Sequence, residues 1–196
     1  MAEVSVMHRV VMGAAALAQP YGIANPQSSL SPAETDDLLT AAWSRGIRFI
    51  DTASAYGEAE IRIGKWSNRT GNHFQTIGKL PSMRHVPNRE IRLTVQSHIE
   101  TTCRSMRIER LEGYLIHNPA DFARPHVREA LAELQETGKF RYFGLSIYKP
   151  EEAIAALTFN NVGAFQIPTN VFDNRLAESG LSKICENKDI LMFLRS

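Results

Sequence analysis

The chain is poor in cysteine, in long apolar runs and in charge of one sign, and each shortage excludes a class of function. Its 2 cysteines, Cys103 and Cys185, lie far apart and form no CxxC pair or Cys/His cluster. That argues against a disulfide scaffold and a zinc site and for a reducing compartment. No metal is expected. No window approaches the roughly 18–20 apolar residues of a membrane span, and the N-terminus lacks the basic flank, apolar stretch and cleavage site of a secretory signal. A cytoplasmic protein is expected, and Asn68-Arg69-Thr70, although spelled like a glycosylation acceptor, reads as accidental. With 22 basic and 21 acidic residues, a net charge of +1 and no long block of either sign, the chain is not expected to bind nucleic acid or anionic membranes. Small neutral ligands remain open.

What is present is the composition of one soluble domain: 196 residues, of which 43% are apolar, suffice for a substantial core. Short β-branched runs alternate with stretches of helical spacing. The first strand is expected at His8 to Met12, running into Gly13 and three alanines, small residues that suit either close approach of a ligand or a tight turn. Ser31-Pro32-Ala33-Glu34 has the form of a helix start with a capping box, and that helix should end by Gly46. Ile47 to Ile50 follows as a strand, then a helix from Gly57 to Trp66 carrying Ile61 and Trp66. Next come a third strand ending at Lys79 and a helix capped by Asn88, with Ile91, Val95, Ile99 and Met106 on its buried stripe. Leu111 to Ile116 is the fourth strand, and a helix from Pro125 turns Val127, Leu131 and Leu134 inward and stops at Gly138. Phe140 to Ser146, a helix from Pro150, Ala164 to Ile167, a helix over 173–187 and Ile190 to Leu194 complete the series. This βα rhythm predicts an α/β fold of the (β/α)8 TIM-barrel type. A Rossmann dehydrogenase is the weaker alternative, because no G-x-G-x-x-G follows the first strand.

Three successive apolar runs end near a titratable side chain: Asp51, with Tyr56 in the loop beyond it, then Lys79, then His117. Singly, Asp51 also reads as a turn cap and Tyr56 as a loop aromatic. Their recurrence at the C-terminal ends of strands, where parallel α/β folds carry their chemistry, favours a site. A free phenol with a pKa near 10 is a poor proton donor at neutral pH. A lysine ammonium beside it favours the phenolate, and a carboxylate keeps that lysine charged and oriented.

The set D-T-A-x-x-Y-G-x-A-E at Asp51 to Glu60, with Lys79 and His117 ending the next two strands, resembles the aldo-keto reductase family. Ala18 to Asn25, AQPYGIAN, is similar to a bacterial branch of it. The likeness runs from about Val10 to the end of the chain. It implies that Asp51, Tyr56, Lys79 and His117 are a catalytic tetrad and that NADP or NAD is the cofactor. The substrate it implies is a small carbonyl compound. By the same resemblance Ser146 and Gln166 match positions that hold the nicotinamide carboxamide, with Asn170 at the same mouth. Without the resemblance all three read as polar caps of strand ends. Where many members carry Asn after that serine, this chain has Ile147.

A barrel of this type usually needs about 250 residues. On the strand count above, the barrel is incomplete, ending just past the seventh strand, without the later loops in which the family holds the cofactor's phosphates. Open strand edges would then favour self-association. The alternatives to an active NAD(P)H-dependent reductase are therefore a non-catalytic cofactor-binding or regulatory module on the same fold, or an inactive truncated reductase. Such a chain, taken alone, is expected to bind NADP weakly.

Overall fold

A computed structural model describes residues 10–21 and 29–195. Two features read from the sequence, the start of the first strand at His8 and the stretch Gly22 to Asn25, lie outside the described residues. The elements run β1 (Val11–Gly13), α1 (Pro32–Ser44), β2 (Phe49–Asp51), α2 (Ala59–Thr70), β3 (Gln75–Leu80), α3 (Ile91–Met106), β4 (Leu111–Ile116), α4 (Pro125–Glu136), β5 (Phe140–Ser146), α5 (Pro150–Ala156), β6 (Val162–Pro168), α6 (Arg175–Glu178), α7 (Leu181–Asn187) and β7 (Leu191–Arg195). The strands form one seven-stranded sheet in the order of the chain, β1 to β7, which is the order of seven of the eight units of a (β/α)8 barrel. The pairs β1–β2, β2–β3, β5–β6 and β6–β7 are parallel. Parallel neighbours need a long crossover, and the helices supply it.

Local chemistry explains most element boundaries. At the start of α1 the Glu34 N–H donates to Ser31 Oγ while the Ser31 N–H donates to Glu34 Oε2, so two otherwise orphaned amides are satisfied reciprocally. Proline fills the first helical turn of α1, α4 and α5, where its missing N–H costs nothing. The α2 helix ends in Gly71 at φ 73°, a left-handed conformation that glycine adopts without a Cβ penalty.

Four expectations are corrected. The α2 helix runs over Ala59–Thr70 rather than from Gly57 to Trp66, and it buries Ile63 and Trp66 while Ile61 is exposed. Strand β3 continues one residue past Lys79, to Leu80. Asn88 does not cap α3, which begins at Ile91: Asn88–Glu90 form a separate 3-10 turn, and the Asn88 side-chain oxygen accepts a hydrogen bond from Arg124. The single helix over 173–187 is two, α6 and α7, separated by Gly180 at φ 69°. The Ser179 hydroxyl oxygen accepts from the Leu181 N–H across that break.

Two compact units are distinguishable, one comprising the chain up to Gly78 with Ile99–Glu112, the other Lys79–His98 with the chain from Gly113 onward. In the first, Leu17, Leu39, Ile50, Ile63, Trp66 and Phe74 build the core, and Trp43, Trp66 and Phe74 meet ring to ring. In the second, Phe143 and Phe159 meet edge to face with Phe122 beside both, and Arg128 lies over the Phe122 ring. Such pairs add about 0.5–1.5 kcal/mol each beyond their area burial.

Candidate active site

In the first unit, Asp51 is the last residue of β2, in register with Gly13 of β1 and Ile77 of β3. Its backbone oxygen accepts from the Ala14 N–H, and the next residue, Thr52, donates its N–H to Ile77. Asp51 is therefore held at a strand end from both sides. Gly13 is exposed, and a Cβ built there meets nothing within 4 Å, so the backbone beside Asp51 is approachable. The alanines after it divide differently: Ala14 and Ala15 are core. Tyr56 closes the turn after β2, its N–H donating to Ala53 and its carbonyl accepting from the Ala59 N–H at the start of α2, and its ring packs partly against the core.

In the second unit, Lys79 is 3% exposed on β3, a degree of burial rare for a lysine without a polar role. His117 follows β4 directly, and its N–H donates to the Leu80 carbonyl at 3.2 Å, tying the ends of β3 and β4 together. The turns beyond are clamped to each other. Asp121 Oδ2 accepts from the Met83 N–H at 2.9 Å, and Arg124 donates to the carbonyls of Met83 and Val86 as well as to Asn88. His117, Ser82, Asn118, Pro119 and Tyr148 line a pocket of about 290 Å³.

Ser146 and Gln166 are brought together. They end β5 and approach the end of β6 in direct register, both buried, and Ser146 Oγ donates to Gln166 Oε1 at 3.3 Å. Among the described residues this is the one side-chain hydrogen bond of the Gln166 amide, so its nitrogen remains as a donor. Ile147 is fully buried and donates its N–H to the Gln166 carbonyl at 2.7 Å. The departure at this position is thus a core side chain. Asn170 is not part of that pair: it sits in an exposed turn, where its Oδ1 accepts from the Phe172 N–H and its carbonyl from the Asp173 N–H.

Sequence reasoning missed Ser82, Asn118 and Tyr148. The signal for Asn118 was its place directly after His117; Tyr148 offered none, since a tyrosine just before a helix-starting Lys-Pro is an ordinary loop residue. Among the described residues there is no cluster of three or more His, Cys, Asp or Glu suited to a metal, and no helix is long and apolar enough to cross a membrane.

The chain is similar to known proteins throughout this region. It is 26% identical over 160 residues to the aldo-keto reductase YhdN of Bacillus subtilis, covering 78% of this chain and 48% of that protein. It is 29% identical over 150 residues to an aldo-keto reductase of Mycobacterium sp. strain KMS, covering 71% and 52% respectively. The chain thus spans about half the length of the curated relatives it matches. Among solved structures, the holo form of aldo-keto reductase AKR11C1 from Bacillus halodurans superposes with a TM-score of 0.76 at 16% identity, over 95% of this chain and 61% of that one. At that identity the likeness shows the fold. The family model for the aldo/keto reductases matches residues 9–193, and the chain belongs to the aldo/keto reductase family.

Proposed function

We propose that this protein reduces an aldehyde or ketone to the alcohol, with Asp51, Tyr56, Lys79 and His117 acting together as a catalytic tetrad and NADP or NAD as cofactor. One observation carries the reading beyond family membership. Asp51 ends β2, Lys79 is the penultimate residue of β3 and His117 follows the last residue of β4, so each of three successive strands offers a titratable group at its own C-terminal end, with Tyr56 in the first loop. The C-terminal face is where parallel α/β folds build active sites.

The Ser146–Gln166 pair fits the cofactor: a buried amide with its oxygen engaged by a serine and its nitrogen left to donate suits a carboxamide, and Asn170 is the third candidate contact. Bound cofactor supplies the hydride. Tyr56 Oη gives its proton to the carbonyl oxygen as the carbon becomes tetrahedral, and solvent returns that proton after the alcohol leaves. The Lys79 ammonium favours the phenolate and so makes Tyr56 a better acid, Asp51 holds the lysine charged and aimed, and His117 orients the carbonyl oxygen. Both cysteines are buried free thiols, which supports a reducing compartment and hence the cytoplasm.

Tyr56→Phe tests the assignment. Removing the proton donor is expected to lower turnover of a carbonyl panel by about 10²- to 10⁴-fold while NADPH affinity, read by fluorescence titration, stays within about twofold. Unchanged turnover in the variant would sink the tetrad. Cofactor binding without turnover of any carbonyl by the unsubstituted chain would support a non-catalytic module instead.

A further inference from the structure

The loop after β5 presents an aromatic side chain that the tetrad chemistry does not use. Tyr148 borders the pocket that contains His117, and it is 52% exposed. This exposure is not looseness. The preceding Ile147 is locked in the core, the Tyr148 N–H donates to Glu152 Oε2 at 2.7 Å, and the Arg195 guanidinium stands over the tyrosine ring, 4.9 Å from its centroid. Arg195 pairs with no carboxylate among the described residues, and its guanidinium is placed against the ring instead. A cation over the ring face and two fixed backbone positions hold an aromatic surface in the open.

The polar side of the same pocket is already engaged. Ser82 Oγ accepts from the Arg84 N–H at 3.3 Å, Asn118 Oδ1 accepts from the Ala120 N–H at 3.2 Å, and Asn118 Nδ2 reaches Ser82 Oγ at 3.5 Å. What the pocket offers a ligand is therefore chiefly the Tyr148 and Pro119 rings, in a wall that also includes His117.

We propose that Tyr148 is a specificity-determining residue that gives this pocket a preference for carbonyl compounds carrying an aromatic group next to the carbonyl. The proposal rests on the reductase reading: His117 orients the carbonyl oxygen while the substrate ring packs against Tyr148, in the offset or edge-on geometry that aromatic pairs prefer.

Two readouts separate the proposal from the reading beneath it. A ¹⁹F NMR titration of 4-fluorobenzaldehyde measures binding without turnover, and steady-state rates with NADPH compare 4-fluorobenzaldehyde with propanal. Tyr148→Ala is expected to weaken binding of the aryl aldehyde about tenfold and to lower the aryl-to-propanal ratio of kcat/KM by a similar factor, whereas Tyr148→Phe stays within about twofold of the parent chain. No binding by the parent chain, equal Kd in the parent and Tyr148→Ala, or equal losses for both aldehydes overturns the proposal. Binding that depends on Tyr148 with no turnover of either aldehyde supports the pocket preference and overturns the reductase reading instead.

Discussion

Glu60 closes the tetrad motif in sequence yet has no part in the proposed chemistry. It lies in the first turn of α2, 6% exposed, with its Oε1 accepting from Thr102 Oγ1 at 3.3 Å. Burial disfavours the charged carboxylate and raises its pKa above the ordinary 4.5, and the Thr102 hydrogen bond opposes that only in part. The folded chain therefore holds the Glu60 proton more tightly than the unfolded chain. The stability this contributes is fully present below about pH 4.5 and is lost as pH rises through the higher folded-state value, so the ionised group is a net cost. Glu60→Gln, which keeps an acceptor for Thr102, is expected to melt higher than the parent at pH 8 and to lose that advantage at pH 4. Thermal melts across this range check it, and a lower melting temperature at pH 8 would show that the charge is needed.

Packing between helices sets a limit that no motif records. At Gly64, in the middle of α2, a Cβ would stand 1.9 Å from the Ser105 carbonyl oxygen, an atom of the backbone near the C-terminus of α3. Because backbone cannot swing aside as a side chain does, Gly64→Ala must push the two segments apart. A loss of at least about 1–3 kcal/mol is expected despite alanine's better helix propensity, measurable by urea denaturation. A neutral or stabilising result would mean that the segments separate at little cost. The same α2 helix shows what periodicity reveals and what it leaves open. Its existence was legible, but Ile61 and Ile63 differ by two positions and lie about 200° apart around the axis, so the choice of buried face depended on what the helix packs against.

The near balance of 22 basic and 21 acidic residues sets long-range behaviour. Without a field of one sign there is little counterion release to drive binding to a polyanion. Fluorescence anisotropy with labelled duplex DNA is expected to stay flat to about 10 μM protein at about 0.15 M salt, a range in which non-specific binders begin to respond. A rise that falls with added salt would reveal a local basic surface. At this scale the sequence was most informative: the βα rhythm carried the α/β class and the order of seven strands, because each strand and its crossover helix are written in consecutive residues. The bounds of β4 and β5, Leu111–Ile116 and Phe140–Ser146, were likewise readable from their apolar runs.

The sequence by itself determined what acts within a few residues: the Ser31 capping box, the proline helix starts, the buried stripe of α3, and the family motif over Asp51 to Glu60. The tertiary structure alone decided what joins distant stretches. Asn88 looked like a cap but accepts from Arg124, 36 positions away, and the Arg124 contact with Met83 spans 41. Ser146 meets Gln166 across 20 positions because β5 and β6 lie in direct register. The physical reason is the reach of each interaction: a cap closes over a single helical turn, whereas a clamp or pocket wall exists only once strand register has brought separate loops together. Tyr148 therefore reads as an ordinary loop residue in sequence and becomes the wall of the His117 pocket only in the fold.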